Sequence, residues 1–296
     1  MKGALLVALP GNDGLAAPLA RALGMEAGGL EARRFPDGES YLRFEGPVEG
    51  RTVVLLCTLD RPDDKILTLL FAADTARALG AAGVGLIAPY LAYMRQDRRF
   101  KPRESVTSAH FARLLCDHVD WLATVDPHLH RRHALEEIYT VPARAAGAAP
   151  LIAEWIGAHV PRPVLIGPDE ESEQWVASVA RATGARHTAL RKVRRGDRDV
   201  EISVPDAGLL REGTPVLVDD IISTGRTMIE TIRRLLEAGA AAPVCAAVHG
   251  VFAGNAYKEL LEAGAAKIVT SNTIPHESNG IDVSALLAES VRVLTD

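Results

Sequence analysis

The sequence predicts an α/β protein of two similar domains, each with a mainly parallel sheet flanked by helices. Short apolar runs rich in β-branched residues recur along the chain, as in strands buried on both faces of a parallel sheet. Helical patterns separate several of these runs, and such alternation is typical of doubly wound sheets. The 296 residues are enough for two domains of ordinary size.

The predicted strands fall into two sets of four. The first set is Leu5–Leu9, Val53–Leu59, Val84–Pro89 and Trp121–Val125, and the second is Val164–Gly167, Val216–Val218, Val244–Val248 and Lys267–Thr270. The clearest helix of the first half is Asp64–Leu79, whose apolar face consists of Ile66, Leu69, Leu70, Ala73, Ala76 and Leu79. Residues 141–150 are rich in Ala, Pro and Gly, so we expect domains 1–145 and 146–296.

The composition is that of a globular protein, with 48% hydrophobic and 24% charged residues. A net charge of −5 and a pI near 6.0 argue against nucleic acid as the main partner. Cys57, Cys116 and Cys245 are far apart, so we expect buried free thiols rather than a metal cluster or disulfides. The opening apolar run is too short for a signal peptide, and none has the length of a membrane span, so we expect a cytoplasmic protein with no membrane partner.

Residues 215–227 carry the most specific functional pattern. The acidic pair Asp219 and Asp220 follows a β-branched run, and the hydroxyl-rich turn 223–227 leads into apolar residues at helical spacing. Unpaired backbone N–H groups and the positive dipole end at a helix N-terminus favour a phosphate. Carboxylates at the end of a strand accept hydrogen bonds from sugar hydroxyls. The pattern predicts a sugar-phosphate site; the alternative is an ordinary turn with solvated acids.

Two further polar segments follow predicted strands of the first half. Residues 90–99 place basic and amide side chains where open α/β sheets bind ligands, and Asp97 could hold one arginine fork against a phosphate. Asp126 and His128 could ligate or orient a divalent cation such as Mg²⁺. Taken alone, the first segment equally suits a solvated loop, and a lone histidine is more often structural. A transition-metal pair of His128 with His130 lacks an evident third ligand.

Together these motifs resemble the ribose-phosphate diphosphokinases, or PRPP synthetases, over nearly the full chain. Residues 215–227 resemble the PRPP motif that these enzymes share with phosphoribosyltransferases. The resemblance implies two phosphoribosyltransferase-like domains, with ATP motifs in the first and both the ribose 5-phosphate loop and a catalytic loop in the second. It implies transfer of the diphosphoryl group of Mg-ATP to the 1-hydroxyl of ribose 5-phosphate, giving PRPP and AMP.

The resemblance also implies roles for individual residues. The implied ATP contacts are Phe35, Asp37, Glu39, Arg95, Gln96, Asp97, Arg98 and His128. The implied ribose 5-phosphate contacts are Asp219, Asp220, Ser223, Thr224, Gly225, Arg226 and Thr227. His128 and Asp169 are the implied metal-linked residues, and Mg²⁺ is the implied cofactor. The family often takes its adenine contacts at 35–39 from a neighbouring subunit, which implies a homo-oligomer, dimer or higher.

Lys192 and Arg194 occupy the place of the family's mobile catalytic loop and are the implied catalytic residues. If this segment is extended, alternate residues face one way, so both cations would point at one target while Val193 points back. A closing pair of cations stabilises the negative charge of diphosphoryl transfer and excludes water. The alternative is a solvated basic loop.

The chain departs from the family pattern at a few positions. Ser223 stands where many members have Asp, Arg226 stands where a small residue is common, and residues 169–172 are more acidic than in many members. Ser223 and the length of the chain resemble the archaeal-type branch.

Two rival functions remain open on the sequence. A phosphoribosyltransferase would share residues 216–227 but has no need of the motifs at 35–39 and 95–98. A catalytically silent regulator of synthetases could keep the fold, but the retention of Lys192, Arg194 and His128 argues against it.

Overall fold

The computed structural model describes residues 3–169, 172–190, 192–195, 199–202 and 213–295, with the backbone alone for 192–195 and 199–202. The chain forms two compact units. The first runs from the N-terminus to Gly147 and includes Thr273–Pro275 and the segment that begins at Val283. The second consists of Ala148–Asn272 and His276–Asp282.

The strands of the first unit are β1 (Leu5–Ala8), β2 (Glu26–Gly28), β3 (Leu30–Arg34), β4 (Ser40–Phe44), β5 (Thr52–Leu56), β6 (Gly83–Ala88), β7 (Trp121–Val125) and β8 (Ala143–Ala146). Those of the second are β9 (Pro163–Gly167), β10 (Arg186–Ala189), β11 (Lys192–Arg195), β12 (Asp199–Ile202), β13 (Thr214–Ile222), β14 (Val244–Gly250), β15 (Lys267–Ser271) and β16 (Asn279–Ile281).

The helices are α1 (Asp13–Leu23), α2 (Pro62–Ala78), α3 (Thr107–Cys116), α4 (Ala149–His159), α5 (Glu173–Thr183), α6 (Arg226–Glu237), α7 (Ala256–Glu262) and α8 (Ser284–Thr295). A short 3₁₀ turn spans Leu135–Glu137. No helix in the described part of the chain combines the length and apolar character needed to cross a membrane.

Each unit contains a six-stranded parallel sheet. The strand order is β2-β1-β5-β6-β7-β8 in the first unit and β10-β9-β13-β14-β15-β16 in the second. An antiparallel hairpin follows the second strand of each unit, β3-β4 in the first and β11-β12 in the second. The two units therefore share one connectivity, which confirms the predicted fold of two similar parallel-sheet domains.

The apolar runs that predicted the strands form the cores of the sheets. Val53, Leu55 and Leu86 in the first unit are fully buried, as are Leu217 and Cys245 in the second. Because helices flank parallel strands, both faces lose contact with water, and alternation of apolar and polar residues disappears from the sequence. Each of the eight predicted runs overlaps a strand of the structure.

Three sequence predictions differ in detail from the structure. Helix α2 begins two residues earlier than predicted, and Leu79 is 51% exposed rather than part of the buried face. Strand β13 continues through Ile222, so the acidic pair lies inside the strand and not at its end. The strand is longer because its pairing with β14 continues from Val216 to Ile222.

The C-terminal helix α8 belongs to the first unit. It packs against α1, β7 and β8, and Arg292 donates a hydrogen bond to the carbonyl oxygen of Ala22. The division between the units falls after Gly147, whereas the sequence predicted a boundary between residues 145 and 146. The chain also returns to the first unit from Val283 onward, and a single boundary does not include this return. The apolar face of α8 supplies the reason, since Leu287, Ala288 and Val291 are buried.

The three cysteines form no disulfide. Cys57 and Cys245 are buried, whereas Cys116 is only half-buried. Burial raises the pKa of the Cys57 and Cys245 thiols to about 12. These two thiols are therefore uncharged near neutral pH and behave as small apolar side chains.

Candidate active site

The tip of hairpin β3-β4 carries Phe35, Asp37 and Glu39, the first group of predicted ATP contacts. Phe35 N–H donates to Glu39 O at 2.8 Å, and Glu39 N–H donates to Asp37 Oδ1 at 3.2 Å. The Phe35 ring is 39% exposed and lies 4.6 Å from the Arg33 guanidinium, which also covers the Tyr41 ring at 4.2 Å. The hairpin thus presents an aromatic ring and two carboxyl groups on an exposed, hydrogen-bonded turn.

The second group of predicted ATP contacts, Arg95, Gln96, Asp97 and Arg98, lies in the loop after β6. Arg95, Gln96 and Arg98 are exposed, whereas the Asp97 side chain is only 7% exposed. The backbone turns at Tyr93, which has a φ of 63°, and Gln96 N–H donates to Tyr93 O at 2.9 Å. The loop therefore directs three polar side chains outward and one carboxyl group inward.

His128 lies in a tight turn after β7. Asp126 and His128 have positive φ angles of 32° and 55°, and His128 N–H donates to Asp126 O at 2.8 Å. Positive φ is costly for residues other than glycine and persists only where the surroundings enforce it. His128 Nδ1 lies 3.1 Å from Nε2 of His130, which fixes the two imidazole rings against one another.

Two arginines that the sequence analysis did not single out connect these loops. Arg131 Nη1 lies 3.2 Å from Asp97 Oδ2, and Arg132 Nη2 donates to Asp97 O at 3.4 Å. Ser108, at the start of α3, donates its hydroxyl to Gln96 O at 3.0 Å. The signal that could have identified the arginines is their position three and four residues after His128, on the loop next to the ATP segment.

In the second unit, the acidic pair lies within β13. Asp220 is buried, and its N–H donates to Asp219 Oδ1 at 3.0 Å. Burial raises the pKa of the Asp219 carboxyl group well above its ordinary value, and the charges of Asp220 and Asp169 raise it further. Three carboxyl groups are thus close enough to repel one another.

The predicted phosphate loop runs from Ser223 to Gly225, and Arg226 and Thr227 form the first turn of α6. Gly225 has a φ of 67° and supplies the left-handed backbone at the helix N-cap, with its carbonyl accepting from Ile229 N–H at 2.8 Å. Arg226 is exposed, so its side chain does not crowd the loop. Backbone N–H groups of the first helical turn have no intrahelical acceptor and suit an anion.

Asp169 follows β9, beside the acidic pair. Its Oδ1 accepts from Ser172 N–H at 3.1 Å, and Ser172 Oγ donates to Asp169 O at 2.7 Å. These contacts hold Asp169 and Ser172 together before α5 and fix the orientation of the carboxyl group.

Lys192 and Arg194 lie on β11, where Lys192 pairs with Ile202 and Arg194 with Val200 of β12. The backbone is therefore extended, as the alternate-residue argument assumes, and the two residues share one face of the hairpin. The side chains of both lie outside the described residues.

Comparison with known proteins gives consistent matches along the chain. Residues 4–118 match the family model for the N-terminal domain of ribose phosphate pyrophosphokinase, and residues 134–286 match that for the phosphoribosyl transferase domain. The chain is 35% identical to a ribose-phosphate pyrophosphokinase of Methanosarcina acetivorans, over 96% of this chain and 98% of that protein. It is 33% identical to one of Methanothermobacter thermautotrophicus, over 97% of this chain and 100% of that protein.

A solved structure shows the same likeness in three dimensions. The crystal structure of phosphoribosylpyrophosphate synthetase from Mycobacterium smegmatis superposes with a TM-score of 0.87, at 26% identity and with 99% of each chain covered.

Proposed function

The chain belongs to the ribose-phosphate pyrophosphokinase family, and from this membership we propose how its residues form PRPP from ribose 5-phosphate and ATP. In the reaction, the 1-hydroxyl oxygen of ribose 5-phosphate forms a bond to the β-phosphorus of ATP. The bond from that phosphorus to the oxygen it shares with the α-phosphate breaks, and AMP leaves with that oxygen. The hydroxyl proton is released.

The acidic strand and helix N-terminus of the second unit support binding of ribose 5-phosphate. Asp219 and Asp220 would accept hydrogen bonds from the 2- and 3-hydroxyls of the sugar. Residues 223–227 would hold the 5-phosphate, with backbone N–H groups at the start of α6 and the hydroxyl groups of Ser223, Thr224 and Thr227 as donors. This combination of an acidic pair with a phosphate loop is the observation that carries the proposal.

The loops of the first unit support binding of ATP. We assign base contacts to Phe35, Asp37 and Glu39, and phosphate and base contacts to the exposed side chains of 95–98. Arg132 has a buried Nε–H without a partner among the described residues, so we add it as a further donor to the phosphates.

The donor set of the second unit fits a divalent cation. Burial and the charges of Asp220 and Asp169 disfavour the ionised form of the Asp219 side chain. A bound cation would relieve the repulsion between these carboxylates. Carboxylate oxygens are the ligands Mg²⁺ prefers, and it keeps several waters. We propose Asp169 and His128 as the metal-linked residues. Bound Mg²⁺ would neutralise the charge of the transferred diphosphate.

Lys192 and Arg194 are proposed to stabilise the transition state. Their extended backbone places both positions on one face of hairpin β11-β12. No covalent intermediate is required, because positioning and charge stabilisation supply the catalysis of phosphoryl transfer.

We propose that the enzyme works as a homo-oligomer. The exposed hairpin tip at Phe35–Glu39 supports this assembly, since an aromatic and acidic turn is accessible to a neighbouring chain. Light scattering of the purified protein measures the assembly, and a monomer at working concentration contradicts it.

Phosphorus NMR of the purified protein with ribose 5-phosphate, ATP and Mg²⁺ tests the proposed reaction. PRPP and AMP are the expected products, and omission of ribose 5-phosphate is the control for ATP hydrolysis. Formation of ADP, or the absence of turnover at all metal and phosphate concentrations, contradicts the proposal. Consumption of PRPP with a nucleobase, without formation of PRPP from ATP, would instead identify a phosphoribosyltransferase.

A further inference from the structure

A cavity of about 220 Å³ lies in the first unit, beside hairpin β3-β4, whose tip carries the proposed base contacts Phe35, Asp37 and Glu39. Its walls are the carboxyl ends of β1 and β5, the end of β3 and the first turns of α2. Arg34 and Lys65 bring two cationic residues to its lining, and Asp64 brings a carboxyl group. The carboxyl end of a parallel sheet is where α/β folds place ligands.

The strand registers show that this cavity stands where the second unit has its proposed ribose 5-phosphate and catalytic residues. Strands β1, β2 and β5 of the first unit correspond to β9, β10 and β13 of the second. The pair Leu5–Val53 between β1 and β5 corresponds to Val164–Pro215 between β9 and β13. The pair Val7–Gly28 between β1 and β2 corresponds to Ile166–Thr188 between β9 and β10. Counting on from these pairs matches Pro10 to Asp169 and Cys57 to Asp219. Along the sequence, the same count matches Ala32 to Lys192 and Arg34 to Arg194, and the hairpin pairings Ala32–Leu42 and Lys192–Ile202 agree with it. The chain therefore contains two versions of one site.

The first-unit version has lost the groups that would hold a metal ion or a ribose. The Cys57 thiol, whose pKa burial raises to about 12, stays neutral, and Pro10 has no polar side chain. Pro62 opens α2 without an N–H group, and Asp63 and Asp64 lie in its first turn, so this helix end supplies no phosphate loop and an anion here depends on cationic side chains. The cavity therefore does not fit a magnesium-bound diphosphate.

The cations that remain are held in place. Arg34 Nη2 donates to Asp64 O at 3.1 Å, and Lys65 Nζ donates to Thr58 O at 3.0 Å while it pairs with Asp60. The Arg33 guanidinium, by contrast, lies 3.6 Å from Glu31 and stacks on the Phe35 and Tyr41 rings, on the face of the hairpin opposite to Arg34. A guanidinium has five N–H donors and an ammonium three, more than these contacts use. The remaining donors can bind an oxyanion at little cost in side-chain entropy.

We propose that this cavity binds a small phosphate ester without a metal ion. The Arg34 fork and Lys65 bind the phosphate oxygens, and Asp64 accepts a hydrogen bond from a hydroxyl of the ester. At about 220 Å³ the cavity is smaller than the roughly 300–1,000 Å³ of pockets for drug-sized ligands, so a whole nucleotide does not fit.

Methyl NMR of alanine- and leucine-labelled protein, titrated with glycerol 3-phosphate in the absence of metal, tests the site. The methyl groups of Leu9 and Ala32 line the cavity and should shift with saturation. Arg34→Gln and Lys65→Gln should each weaken this binding at least tenfold. The absence of shifts in the wild-type protein, or equal affinity in both variants, overturns the proposal.

Matched controls separate this cavity from the phosphate loop of the second unit. Arg43→Gln removes an exposed arginine of the same hairpin that pairs with Glu31 outside the cavity, and should leave the affinity unchanged. Leu260, which lies beside Gly225, reports binding at the phosphate loop and should shift in every variant. If inorganic phosphate binds as tightly as glycerol 3-phosphate, the occupant of the cavity is the free anion and not the ester. Equal shifts with uncharged glycerol contradict anion binding.

Discussion

Arg131 places Nη1 3.2 Å from Oδ2 of Asp97, and so joins the loop after β7 to the loop after β6. Asp97 is the inward-facing member of the segment 95–98, with a side chain only 7% exposed. A carboxyl group in that position needs a fixed partner, since an unpaired charge with little access to water is costly. The pair therefore determines the shape of a loop assigned to ATP.

Arg131→Met should raise the KM for ATP about fivefold to tenfold, because a charge-assisted contact is lost but half-exposed arginine is partly screened by solvent. The turnover number should change less, since the loop positions substrate and does not carry the reacting atoms. Arg131→Lys should recover part of the loss. Arg77→Met, which breaks an exposed pair with Asp120, is the control and should leave KM unchanged. Equal losses in both variants exclude a positioning role.

Asp219→Asn should stabilise the metal-free protein at pH 7.5 by about 1 kcal/mol, or about 2–4 °C in Tm, while abolishing activity. The raised pKa means that the folded state binds a proton more tightly than the unfolded chain. Stability therefore falls as pH rises from the ordinary carboxyl value of 3.8 through the raised pKa. Thermal unfolding in EDTA measures Tm, and the difference in Tm between variant and wild type should become smaller as the pH is lowered toward 4. Asp37→Asn, at the exposed hairpin tip, should show no such gain.

His276 should make the fold sensitive to mild acid. Its Nδ1 accepts from Ser278 N–H at 3.1 Å, and burial lowers its pKa, with Glu277 acting in the opposite direction. The unfolded chain therefore binds the proton more readily, so stability is lost as pH falls from 6.5 through the lowered pKa. His276→Asn keeps an acceptor near Nδ1 and should flatten the dependence of Tm on pH below 6.5. An unchanged slope in the variant contradicts this origin.

Lys192→Ala should reduce turnover by about 10²–10³-fold while ribose 5-phosphate still binds, because loop cations act chiefly in the transition state. Val193→Ala alters the opposite face of the same strand and should have a small effect. Steady-state kinetics and calorimetric binding of ribose 5-phosphate measure the two quantities. Parallel losses in binding and turnover would assign Lys192 to substrate binding.

Hydrophobic pattern predicted the buried strands, and motif resemblance predicted the family. Runs such as Val53–Leu56 and Val244–Val248 can be recognised as strands in the sequence, because a strand covered on both faces has no polar residues. The hairpin β3-β4 was not predicted as a hairpin, since Leu30–Arg34 and Ser40–Phe44 are half polar and lack the continuous apolar run of a buried strand. The contact between Arg131 and Asp97 was also missed, because residues 34 positions apart meet only when β6 and β7 lie side by side.

The sequence by itself determined the polar groups near the carboxyl ends of two strands, namely the acids at 219–220 within β13 with the hydroxyl turn at 223–225, and the arginines at 95–98 after β6. These groups are local in the chain, so a linear pattern contains them. The tertiary structure decided which residues of the two halves are equivalent, and it returned α8 to the first unit. Equivalence depends on strand register, which is set by pairing between distant segments. Only that register shows Cys57 at the position of Asp219.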